Sequence, residues 1–245
     1  MSGHSKWATT KRKKAAIDSK RGKAFTKIIK EITIAAREGG GDPVGNPRLR
    51  LAIDNAKAVN MPADNIDRAI KKATGELEGV SYVELTYEGY GPGGVAVIVE
   101  VATDNKNRTV AEVRHIFSKN GGSMGEGGSV AWMFEKKGVV TLPRQGKSED
   151  DLMEIILDAG ADDLQTEEDF FIIQSSIESF ETVRKAVADK SLSIENASLQ
   201  WIAKNTINVA GEDAEKVIKL IESMEDCDDV QNVYTNADID DSAIK

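Results

Sequence analysis

A chain of 245 residues, 40% hydrophobic and 30% charged, has the composition of an ordinary soluble globular protein with room for two or three modest domains. No apolar run approaches the roughly 20 residues that span a bilayer, and the basic N-terminus has no apolar stretch behind it, so neither a membrane partner nor a secretory signal is expected. A single cysteine, Cys227, excludes an internal disulfide framework and suits a cytoplasmic protein.

Charge is distributed unevenly. The stretch Met1–Arg37 holds eleven basic residues: Lys6, Lys11, Arg12, Lys13, Lys14, Lys20, Arg21, Lys23, Lys27, Lys30 and Arg37. Only Asp18 and Glu31 oppose them, a segment charge of +9 in a chain whose formal net charge is −9. Cations packed this densely repel one another unless a polyanion neutralises them, so nucleic acid is the partner that the pattern predicts. A solvated basic face is the bland alternative, and the length and single sign of the run weigh against it.

From Ser2 to Ser19 apolar residues are sparse, which predicts a flexible arm or a helix that forms on contact. Phe25, Ile28, Ile29, Ile32, Ala35 and Ala36 then recur at the spacing of an amphipathic helix, closed by Gly39, Gly40 and Gly41. Lys23, Lys27 and Lys30 fall largely outside that stripe and read as a basic surface. Asn46 followed by Pro47 is a helix start, with Leu49, Ala52, Ile53, Ala56 and Val59 inward and Arg48 and Arg50 beginning on the other side. A third helix follows Pro62, with Ile66, Ala69, Ile70 and Ala73 inward and Gly75 at its end.

Beyond Val80 the period changes to that of strands. Val83, Leu85 and Tyr87 alternate, Gly91–Gly94 turn, and Val95–Val101 is the nearly unbroken apolar run of a strand buried on both faces. A helix follows Asp104–Thr109, then the glycine-rich stretch Gly121–Gly128, then an expected strand through Val130, Trp132 and Phe134. Strand 139–142, helix 150–159, strands 163–167 and 170–174, helix 180–188 and strand 193–201 give the order βαββαβ, which is ferredoxin-like. The remaining strand–helix–strand, ending at 230–235, cannot bury a face alone. It is expected to complete the unit that begins near residue 80. The predicted fold is therefore α+β: an N-terminal three-helix domain followed by two α/β domains, the second a ferredoxin-like module inserted into the first. The expected spans are 1–78, 79–135 with 204–245, and 136–203.

Catalytic constellations are not found. His4 lies in the arm, and His115 sits on a helix beside Val113, Ile116 and Phe117. Cys227 stands between Asp226 and Asp228, whose charges disfavour a thiolate. No set has zinc or calcium-loop spacing, and Asp238, Asp240 and Asp241 lack the glycine and distal glutamate of an EF-hand loop. Gly121–Gly128 follows a helix instead of opening one and has no Gly-Lys-Ser/Thr, so it is not a P-loop. Asn105–Thr109, between a strand and a helix N-terminus, has two readings: a phosphate contact through Lys106 and Arg108, or capping by Asp104 or Asn105. An exposed stacking platform of the RRM kind is not signalled by Phe170 and Phe171 alone. A non-enzymatic protein without metal or cofactor is expected, acting as a monomer, with Lys6, Lys11, Arg12, Lys13, Lys14, Lys20, Arg21, Lys23, Lys27, Lys30, Arg48 and Arg50 as candidate nucleic-acid contacts.

Several runs carry a resemblance: Met1–Trp7, Lys20–Lys23, Asn46–Arg50, Asn60–Pro62, Asp64–Ile66, Tyr87–Gly94 and Thr103–Thr109. In these the chain resembles the YebC/PmpR family, to which a mitochondrial translational activator of cytochrome c oxidase belongs. The match runs in order along nearly the whole chain and is carried more by pattern than by words beyond Pro143. It departs at Thr9–Lys14, where charge is kept and a histidine of the family motif is lost, so no role falls to a histidine there. The resemblance implies three domains, the last inserted in the middle one, and a cytoplasmic, non-enzymatic DNA-binding transcriptional regulator. It also implies an alternative: a ribosome-associated translation factor that binds rRNA and relieves stalling at proline-rich stretches.

Overall fold

The first apolar stripe folds as α1 (Asp18–Gly39), which buries Ile32, Ile34, Ala35 and Ala36. The computed structural model describes residues 18–144 and 148–239, with side chains from residue 22 onward. Gly40, at φ +87°, turns the chain out of α1. Asn46 then fixes the next start: its Oδ1 accepts from Leu49 N (3.0 Å), and its Nδ2 donates to Ala35 O (2.7 Å) and Gly40 O (2.9 Å). One buried side chain thus caps α2 (Pro47–Ala58) and satisfies carbonyls at the end of α1. The third helix, α3 (Ala63–Ala73), packs on α1 through Ile66, Ala69 and Ala73.

The chain forms two units. The first comprises residues up to Ala52, Pro62–Glu135, and the chain from Ile202 on. Its sheet is built on β2 (Ala96–Thr103), flanked antiparallel by β1 (Val83–Tyr90) and by β9 (Val230–Thr235). Tyr87 opposes Val99 on one side and Val233 opposes Val99 on the other, with a bulge at Glu100/Val101. A short β3 (Ser123–Met124) extends the edge, giving the order β3-β1-β2-β9. Helices α4 (Lys106–Lys119) and α7 (Gly211–Asp226) supply Val113, Phe117, Val217, Leu220, Ile221 and Met224 to a core shared with Val97, Val99 and Val101. A parallel pair, β8 (Ile207–Val209) with β10 (Ala237–Ile239), adds Val209 and Ile239 to it.

The second unit comprises Lys136–Trp201 with Ile53–Met61. Its elements are β4 (Phe134–Pro143), α5 (Glu149–Asp158), β5 (Ala161–Thr166), β6 (Phe170–Ser175), α6 (Phe180–Asp189) and β7 (Asn196–Ala203), with β4 and β7 reaching past its edges. The sheet order β5-β6-β4-β7 is that of a ferredoxin-like fold. Val140, Leu142, Leu152, Ile156, Phe171, Ile173, Val183 and Val187 are buried there. A Cβ on Gly138 would lie 2.4 Å from the Phe180 ring, so the strand needs glycine at this crossing. Asp54 and Asn55 of α2 join this unit through Arg184 Nη1 to Asp54 Oδ2 (3.0 Å) and Asn55 Nδ2 to Ala197 O (3.1 Å).

The architecture is α+β, an N-terminal helical region followed by two α/β domains, with the ferredoxin-like module inserted into the first of them. One local expectation fails. Residues 131–133 form a 3₁₀ turn, and the strand begins only at Phe134. The N–H groups of Val130 and Ala131 are taken by the Glu88 carboxylate instead of a ladder, which bends the backbone there. Among the described residues no helix is long and apolar enough to cross a membrane.

Candidate nucleic-acid interface

The lysines of α1 are the natural starting point, and the fold uses them. They recur at 23, 27 and 30, which places them on one side of the helix, and that side meets the C-terminal end of α7. Lys23 Nζ donates to Asp226 Oδ1 (2.8 Å) and to Asp226 O (3.2 Å). Lys27 Nζ donates to Glu225 O (3.3 Å). Lys30 Nζ donates to Asp228 O (2.8 Å), Ala102 O (3.0 Å) and Asp229 Oδ1 (2.9 Å). The last carbonyls of a helix have no intrahelical partner and carry its negative dipole end, so a row of ammonium groups is well matched to them.

Lys30 and Asp229 are 6% and 4% exposed, a buried ion pair. The second carboxylate oxygen of Asp229 accepts from Arg108 Nη2 (2.7 Å), Thr109 Oγ1 (2.7 Å) and Thr103 Oγ1 (3.1 Å). Burial alone would raise the pKa of Asp229; the bonds from Arg108, Lys30 and Thr109 outweigh it and hold the carboxyl well below the usual range. Arg108 is committed further, to Asp104 Oδ1 at 2.8 Å. It borders an open depression whose other charged lining groups are Glu112, Asp226, Asp228 and Asp229. That lining repels a phosphate. The N-terminus of α4 is capped by Asn105, whose Oδ1 accepts from Arg108 N (3.1 Å).

Arg48 sits among three carboxylates: Glu31 (2.8 Å), Glu38 (2.9 Å) and Glu84 (2.6 Å). Burial disfavours its charged form, but Glu31 and Glu84 prevail and raise the guanidinium above its ordinary pKa. Arg50 Nη1 donates to Pro43 O (3.1 Å) and Val44 O (3.3 Å), closing the loop before α2.

A second built feature lies after the glycine-rich stretch. Glu88, 7% exposed, accepts from the N–H groups of Gly128 (2.7 Å), Val130 (2.7 Å) and Ala131 (2.8 Å). Burial opposes its charge, yet these three donors hold its pKa below the ordinary carboxylate value. The chain leaving this clamp presents Trp132 with 66% of its surface exposed. Among the described residues no group of three His, Cys, Asp or Glu is placed to hold a metal ion. Cys227 is buried, and burial first, with the Glu112 carboxylate adding to it, raises its thiol pKa and leaves a poor nucleophile.

Comparison with known proteins decides the relationship. The N-terminal-domain model of the TACO1/YebC proteins matches residues 5–76, and the model of their second and third domains matches residues 82–237. The chain belongs to the TACO1/YebC family. A "Probable transcriptional regulatory protein" of Pelodictyon phaeoclathratiforme is 60% identical over 245 residues, covering 100% of this chain and 98% of that protein. One of the same description from Desulfatibacillum aliphaticivorans is 58% identical over 244 residues, covering 100% and 99%. The crystal structure of a conserved hypothetical protein, Aq1575 from Aquifex aeolicus, superimposes with a TM-score of 0.87 at 46% identity, covering 93% of this chain and 94% of that one.

In this TACO1/YebC chain the expected contact residues divide by what already surrounds them. Lys6, Lys11, Arg12, Lys13 and Lys14 lie outside the described residues, and so do the side chains of Lys20 and Arg21, whose backbone belongs to α1. Lys23, Lys27, Lys30, Arg48, Arg50 and Arg108 are engaged by carbonyls and carboxylates of the chain itself. Lys106 is exposed in the first turn of α4. A partial signal for the lysine docking lies in the acidic run Glu225, Asp226, Asp228 and Asp229, opposite in charge to the α1 lysines. Nothing in the sequence pointed to Glu88 as a clamp or to Trp132 as an exposed ring. Phe171, by contrast, is fully buried and serves the core.

Proposed function

We propose that this chain is a non-enzymatic, nucleic-acid-binding regulator of gene expression, in which the arm before α1 and the first turn of α1 supply the phosphate contacts. The observation that carries the reading is the fate of the cations among the described residues. Lys23, Lys27, Lys30 and Arg48 are tied to chain carbonyls and carboxylates, so the cationic surplus of the segment passes to Lys6, Lys11, Arg12, Lys13, Lys14, Lys20 and Arg21. The name borne by the relatives, "Probable transcriptional regulatory protein", supports a regulatory role with DNA as the polyanion. The net negative charge of the remainder of the chain disfavours extended phosphate tracking there, which orients duplex binding towards the N-terminal end.

Binding of this kind reads phosphates and shape. If about six phosphates are neutralised, duplex affinity falls with a log–log salt slope near −5, roughly a thousandfold between about 50 and 200 mM salt. The test is binding to a candidate promoter, random duplex DNA and ribosomes at one physiological salt concentration. A large promoter preference without ribosome association supports transcriptional regulation from the cytoplasm of the cell. Tight ribosome binding with promoter and random DNA alike overturns it in favour of a translation factor working on structured RNA.

A further inference from the structure

The Trp132 turn is held from several sides and yet leaves its largest apolar side chain in solvent. Besides the Glu88 clamp, Gly125 N donates to Glu88 O (2.8 Å), and Tyr90 Oη donates to Ser129 O (3.1 Å). Trp132 Nε1 donates to that same Ser129 carbonyl at 3.1 Å. From the chain after β7, Lys204 N donates to Met133 O (2.9 Å) and Lys204 Nζ to Trp132 O (3.0 Å). The indole N–H is therefore satisfied internally, and most of the surface left in solvent is apolar ring. An indole left exposed on a mobile loop would fold back onto the surface. Here Glu88 fixes the backbone of Gly128, Val130 and Ala131 just before the ring, and the ring remains 66% exposed.

We infer that Trp132 is a stacking post for an unpaired nucleobase, with the Lys204 ammonium placed beside it for the adjoining phosphate. The inference rests on the nucleic-acid reading above and adds the kind of nucleic acid: single-stranded or looped-out, because bases inside a duplex have no free face to offer. An ammonium carries three donors, and the Trp132 carbonyl takes one of those on Lys204. A protein partner fits the surroundings less well. Binding hot spots sit inside exposed apolar clusters, whereas the apolar neighbours Val130 and Phe134 of Trp132 are buried. Among the described residues the other exposed large apolar residues of the same unit are Val44, Leu77, Val80 and Val83; the first three precede the sheet, and Val83 stands at the opposite end of β1 from Glu88.

The test compares the full chain with W132A, W132F and K204Q. Each is titrated against a single-stranded RNA of about 12 nucleotides and against the fully paired duplex of the same sequence, at one salt concentration. W132A is expected to weaken single-strand binding about 5- to 150-fold, the range of one lost base stack. Duplex binding should stay unchanged, W132F should keep most of the single-strand affinity, and K204Q should lose less than W132A. Because Trp132 is exposed, all three variants should melt with the parent, which a thermal scan checks. Single-strand affinity unchanged in W132A overturns the inference while leaving the arm reading intact. Equal losses on single strand and duplex also overturn it. A parent chain that binds neither nucleic acid removes both readings together.

Discussion

Lys30 of α1 and Asp229 before β9, 199 positions apart in sequence, meet at 2.9 Å with both side chains buried. A lysine from the stretch with the highest positive charge is thus a core residue. Breaking such a pair strands a charge in low dielectric, which costs more than the pair itself contributes.

Asp229→Asn should therefore lower unfolding free energy by about 3–5 kcal/mol, since Lys30 loses its counter-charge. Lys30→Met should cost less, because Asp229 keeps Arg108 and two threonine hydroxyls. Urea denaturation of the two variants beside the parent measures both; a D229N cost below that of K30M would contradict the arrangement.

The pH dependence has a definite sign. Asp229 and Glu88 both have folded pKa values below their unfolded ones. Their contributions are complete above the unfolded values near about 4 and are lost as pH falls towards the folded ones. The melting temperature should be level near neutrality on account of these groups and drop below about pH 4. D229N should start lower and show a shallower acid slope.

Glu88→Gln tests the loop clamp. Three N–H groups converge on the carboxylate, and an amide oxygen with an NH₂ beside it cannot accept them all. A cost of about 1–3 kcal/mol is expected. Hydrogen exchange should quicken at Gly128, Val130 and Ala131 before it does in β2.

Two lysine groups should behave oppositely. Replacing Lys11, Arg12, Lys13 and Lys14 with glutamine should reduce the salt slope of DNA binding by up to about 3.6 and leave the melting temperature unchanged. Replacing Lys23 and Lys27 should lower stability by about 0.3–1 kcal/mol each, through the carbonyls at the end of α7, and leave the slope unchanged. Fluorescence anisotropy against salt, beside a thermal scan, reads both quantities.

The elements that were legible in advance are those whose signals are local. The i, i+3, i+4 stripe of α1, the Asn46–Pro47 start and the apolar run of β2 each contain their own instruction. The partnering of β9 with β2 was accessible by a different route, since a lone strand and helix need a sheet to bury against. Side-chain destinations were less accessible. Lys30 and Lys23 are chemically the same residue on the same helix, and only the position of α7 makes one buried and the other 43% exposed. The alternation of its neighbours predicts a strand through Trp132. The bend comes from Glu88, more than forty residues earlier, and nothing in the local pattern announces it.

The pairing of β9 with β2 also sets an order of events during synthesis. β2 leaves the ribosome well over a hundred residues ahead of β9, α7 and Asp229. At about 5–20 residues per second that interval is on the order of ten seconds. Throughout it one edge of β2 has unpaired N–H and C=O groups, the faces of Val97 and Val99 lack their α7 cover, and Lys30 has no counter-charge. The inserted module finds its own sheet partners within 134–203 and can close first. The nascent chain is therefore most vulnerable to aggregation, and most in need of chaperone protection, while its best-defined strand waits for the last one to emerge.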